Sequence, residues 1–73
     1  MTIFYWDYFG PDADGTARHF RIHLDEYIAR SKLEGCETGT AAVGPGHSVA
    51  WCRTPDAARD AILRLRPRRA APA

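Results

Sequence analysis

Residues 36–53, CETGTAAVGPGHSVAWCR, decide the fold. Gly44-Pro45-Gly46 is a turn signal between two stretches of strand character. Cys36–Val43, rich in small residues, reads as one strand and His47–Arg53 as the next, closing a hairpin. A symmetric turn sets Val43 opposite Ser48 and Gly39 opposite Cys52. Cys36 then lies three residues beyond that pair and points away. The offset is roughly 10 Å along a strand, past the ~7 Å reach of a disulfide. Two free thiols are expected, which fits a cytoplasmic protein.

Downstream, Thr54-Pro55-Asp56 opens a helix with a hydroxyl cap, a proline in the first turn and an acid beside it. Ala58, Ala61, Ile62 and Leu65 supply its apolar stripe, and Pro67 ends it. Residues 68–73 read as a flexible C-terminal tail after a single domain of residues 1–67.

Upstream, five of the seven residues Ile3–Phe9 are aromatic, which is strand composition. Phe4, Trp6 and Tyr8 fall on one face, and Ile3, Tyr5, Asp7 and Phe9 on the other. Gly10–Gly15 is a turn, after which Thr16 or Asp14 can cap a helix running from Ala17 to about Leu33. Ala17, Phe20, Leu24, Tyr27, Ile28 and Ser31 form its stripe, and Gly35 its left-handed stop. The order is β-α-β-β-α. The expected fold is a small α+β domain with a three-stranded antiparallel sheet, order 1-3-2, and both helices on one face. It is a ferredoxin-like unit truncated before its last strand.

With 73 residues the chain is one domain with a small core. A hydrophobic share of 45% and a charged share of 26% are ordinary for a globular chain. No apolar run reaches the ~18 residues of a membrane span, and the N-terminus lacks the features of a signal peptide. The net charge of +1 conceals an asymmetry. Residues 1–37 hold seven acids and four bases, while residues 38–73 hold two acids and six arginines.

No residue set spells out a reaction, so the chain is read as a non-enzyme without cofactors. His19 and His23 have helical metal-binding spacing, but two ligands do not make a structural zinc site, and no metal is expected. Asp12-x-Asp14-Gly15 resembles the start of a calcium loop, yet the twelfth position is His23 rather than glutamate. The cysteines, serines and histidines form no nucleophile motif.

Two binding surfaces are expected. The outward-facing Ile22, with Ala29 and Leu33 beside it and Glu26 at its edge, makes a small apolar strip with an acidic margin suited to a protein partner. Alternatively, Tyr5 on an open sheet face, helped by Phe9 and Trp51, would stack bases while Arg59, Arg64 and Arg66 meet phosphate.

The whole chain, with its arginine- and alanine-rich end PDAARDAILRLRPRRAAPA, resembles in size and architecture the small anti-CRISPR proteins of phages and mobile elements that act on type I systems. That resemblance implies a bacterial setting. It also implies binding to a Cas subunit of the interference complex through acidic surface residues, here Asp12, Asp14, Asp25, Glu26, Glu34 and Glu37, so that target-DNA recognition is blocked. Direct nucleic-acid binding is then not expected. A monomer and a homodimer paired through the open sheet face are both compatible with the sequence.

Overall fold

A computed structural model describes all 73 residues. The elements are β1 (Thr2–Phe9), α1 (Ala13–Arg30), β2 (Glu37–Gly44), β3 (His47–Thr54), a 3-10 turn (Asp56–Ala58) leading into α2 (Arg59–Leu63), and β4 (Arg69–Pro72). They form one antiparallel sheet of order β2-β3-β1-β4.

The three-stranded 1-3-2 sheet is therefore corrected to four strands. The missing element is the stretch expected as a tail. Residues 69–72 pair antiparallel with β1, Tyr5 opposite Arg69 and Thr2 opposite Pro72. The arginine and alanine composition of this stretch carries no strand signal. What holds it is tertiary: β1 has an unpaired edge, and the chain leaves α2 beside it. Arg68 N–H donates to the Tyr5 carbonyl at 2.8 Å, and Ala73 N–H to Met1 at 3.2 Å. With β4 present, β-α-β-β-α-β is the element order of a complete ferredoxin-like unit.

The helices also shift. α1 begins at Ala13, four residues earlier than its apolar stripe implies, and the Thr16 hydroxyl donates back to the Asp12 carbonyl at 3.0 Å. It ends at Arg30, where Lys32 at φ 55° and Gly35 at φ 78° reverse the chain. α2 has only five residues, because the 3-10 turn consumes its expected first turn.

The hairpin register differs by one residue from the symmetric expectation. Gly39 faces Trp51, Thr38 faces Cys52, and an irregularity between Ala42 and Gly44 absorbs the difference. A one-residue slip exchanges faces. Cys36 accordingly does not point away. It packs against the core cluster of Phe4, Trp6, Leu24, Ala50, Cys52 and Ile62, which lies between sheet and helices. Both cysteines are free thiols.

Aromatic polar handles close this layer. Trp6 Nε1 donates to the Leu65 carbonyl at 3.0 Å, and the Tyr27 hydroxyl to Ala61 at 2.8 Å. These bonds tie the short α2 to β1 and α1. No helix is long and apolar enough to cross a membrane.

Candidate functional site

The helices cover the face bearing Phe4, Trp6 and Tyr8 and leave the other uncovered. By strand alternation the uncovered face presents Ile3, Tyr5, Asp7 and Phe9 from β1. Opposite them on β3 stand Arg53, Trp51, Val49 and His47. β2 contributes Glu37, Gly39 and Ala41, and β4 contributes Arg69.

The centre of this face is Trp51, whose indole lies over Gly39. A Cβ at position 39 would come within 2.3 Å of Trp51 Cζ2. Glycine there lets the ring lie down on β2 rather than stand away from the sheet. A shallow groove of ≈ 320 Å³ runs beside it, lined by Ile3, Tyr5, Val43, Val49, Trp51 and Arg53 among others.

Beside the groove is a charged lock. The Asp7 side chain is 9% exposed and has three polar contacts. Arg69 Nε donates to Oδ2 and Nη2 to Oδ1, both at 2.9 Å, and His47 Nε2 lies 2.8 Å from Oδ1. The Arg69 hydrogen bonds pull the Asp7 pKa down to about 2. Burial opposes this, and the His47 contact adds to the lowering. Arg69 also sits 4.7 Å above the Tyr5 ring, and Phe9 stacks on His47 at 4.3 Å. One carboxylate thus joins β1 to both β3 and β4.

Exposed apolar side chains lie on this face too: Phe9 and Val43 are 69% and 52% exposed. Charge on the face is balanced, because Arg69 pairs with Asp7 and Arg53 lies 3.9 Å from Glu37.

The expected acidic surface is largely matched from within. Asp14 pairs with Arg18, and Asp25 accepts from Thr38 and lies 3.8 Å from Arg21. Glu26 lies 3.2 Å from His23, and Glu37 near Arg53. Asp12 is the N-cap of α1, and Glu34 sits on the exposed turn after it. Ile22 is 57% exposed on the outer side of α1. These residues do not converge on one patch, since Glu37 lies on the uncovered sheet face and Ile22 on the helix layer.

The nucleic-acid set is divided as well. Tyr5 lies on the uncovered face, with Arg69 over its ring. Arg59 and Arg64 belong to α2 and its end, on the covered side. Arg66 lies in the turn to β4 with φ 56°.

The lock of Asp7, His47 and Arg69 escapes sequence reading, because Arg69 falls in a stretch read as tail. The available signal is Asp7 itself: a carboxylate amid five aromatic residues needs a partner if the strand is covered. No family model, curated protein or solved structure matches this chain.

Proposed function

We propose that this chain is a non-enzymatic inhibitor that works by protein–protein contact, and that its contact surface is the uncovered sheet face rather than the acid-lined helix. The observation that carries the reading is the combination on one face of exposed Phe9 and Val43 with the groove beside Trp51. A flat apolar and aromatic surface with balanced charge is the composition of an interface core. The internally matched acids weaken a mimic of nucleic acid and favour local occlusion of a partner.

In its most specific form the partner is a Cas subunit of a type I interference complex in the bacterial cytoplasm, and the consequence is lost recognition of target DNA. This form rests on the whole-chain resemblance to small anti-CRISPR proteins. The test uses a purified type I complex and labelled target DNA. The chain should reduce DNA binding at near-stoichiometric ratio, and the Phe9→Ser/Val43→Ser variant should not. Both side chains are exposed, so that variant keeps the core. Undiminished DNA binding in the presence of excess chain refutes the specific form.

A second reading is favoured by Tyr5, Phe9 and Trp51 lying on one sheet face with Arg53 and Arg69. Aromatic sheet faces stack unpaired bases. Under this reading a labelled single-stranded oligonucleotide shifts with a steep salt dependence. Under the first reading it does not shift.

A further inference from the structure

His19 and His23 lie four residues apart on α1, so one turn of helix stacks their rings on the same side. Their rings meet edge to face with centroids 4.6 Å apart, and the two Nε2 atoms are 3.0 Å apart. On the far side of the second ring, His23 Nδ1 lies 3.2 Å from Glu26 Oε1. The 3.0 Å approach is that of one Nε2–H donating to the lone pair of the other ring's Nε2, so a metal ion would take the place of that shared proton and draw on both nitrogens.

From this geometry we infer that His19 and His23 form an exposed two-imidazole chelate for a divalent transition ion such as Ni²⁺, Cu²⁺ or Zn²⁺. Two imidazole nitrogens select nitrogen-seeking ions over Mg²⁺ or Ca²⁺, which take oxygen ligands. Nowhere in the molecule do three or more metal-ligating side chains converge. The site is therefore an open chelate whose remaining positions belong to water, not a structural centre. The His23 and Glu26 side chains are 60% and 63% exposed, so an ion reaches them without any rearrangement of the core.

The probe is Ni²⁺ alone, titrated into the full chain and followed by calorimetry and by paramagnetic broadening of amide resonances. One equivalent should bind, with broadening centred on residues 19–23. His19→Ala and His23→Ala should each abolish that binding, while circular dichroism shows α1 retained. Mg²⁺ should produce no heat. Wild-type affinity in either alanine variant, or broadening centred on His47 or the cysteines, overturns the assignment. So does the absence of Ni²⁺ binding by the wild-type chain.

Discussion

Trp51 rests on Gly39: a side chain at position 39 would place its Cβ 2.3 Å from Cζ2 and 2.5 Å from Cε2 of the indole. Both atoms belong to a rigid ring, so the strain is not relieved by swinging a flexible chain end. Alanine in place of glycine in a strand ordinarily gains about 0.5–1 kcal/mol through backbone entropy. Forcing a ring off its seat costs about 1–3 kcal/mol, so the steric effect should prevail and Gly39→Ala should destabilise. Gly15, in the first turn of α1, has nothing within 4 Å of the same added atom. Gly15→Ala should be neutral or stabilising by up to about 1 kcal/mol. Urea unfolding midpoints of the two variants, moving in opposite directions, check the argument. Equal shifts would remove it.

The Asp7 lock makes β4 sensitive to acid. Its folded pKa of about 2 lies below the ordinary 3.8. A depressed folded value means that the carboxylate stabilises the fold fully above the ordinary pKa. That contribution is lost as pH falls from about 4 through about 2. Asp7→Asn should flatten the stability profile across this window. Since Arg69 holds the edge strand through this carboxylate, the variant should also lose amide protection in residues 69–72 first. Hydrogen exchange with protection retained in β1 and β3 is the expected result. A variant that keeps β4 fully protected would show that the strand is held by its backbone alone.

Element types and the order β1, α1, β2, β3 were legible because each rests on local chemistry: the aromatic run Ile3–Phe9, the amphipathic spacing from Ala17 to about Leu33, and Gly44-Pro45-Gly46. The errors came where tertiary contacts decide. Arg69–Pro72 has no apolar pattern, yet it becomes a strand because β1 offers a free edge and Asp7 a counter-charge. The hairpin register slipped by one because Gly44 breaks regular pairing, which no composition rule locates to a single residue. That slip moved Trp51 opposite Gly39 and Cys36 toward the core. Of the candidate site, the parity of Ile3, Tyr5, Asp7 and Phe9 was readable, while its partners on β3 and β4 depended on the corrected register and on the unforeseen strand.

The same register governs thiol reactivity. Cys52 is fully buried and burial pushes its pKa up to about 11 despite a hydrogen bond from Thr54. Cys36 is half-buried, and its pKa is raised by the same cause to a lesser degree. Thiolate, not thiol, is the nucleophile, so both should be sluggish. Iodoacetamide at mildly alkaline pH should label Cys36 first, and Cys52 only when urea opens the core. Mass spectrometry of time points distinguishes the sites. Early modification of Cys52 in the folded chain would contradict its burial.

α2 is the element that most needs its surroundings. Five residues lie far below the ~12–15 at which an isolated helix becomes even marginal in water. Its persistence must come from Ile62, fully buried against Phe4, Trp6 and Leu24, and from the Tyr27 hydroxyl on the Ala61 carbonyl. Ile62→Ala removes both transfer energy and packing, and should cost about 2–5 kcal/mol. Tyr27→Phe removes one neutral hydrogen bond and should cost about 0.5–1.5 kcal/mol. The two act on one short segment, so their effects should fall short of additive in the double variant, because a released helix cannot be released again. Because α2 delivers the chain to β4, Ile62→Ala should also loosen Arg69 from Asp7, visible as faster amide exchange in residues 69–72. Unchanged exchange there would mean that the edge strand holds its place independently of the helix before it.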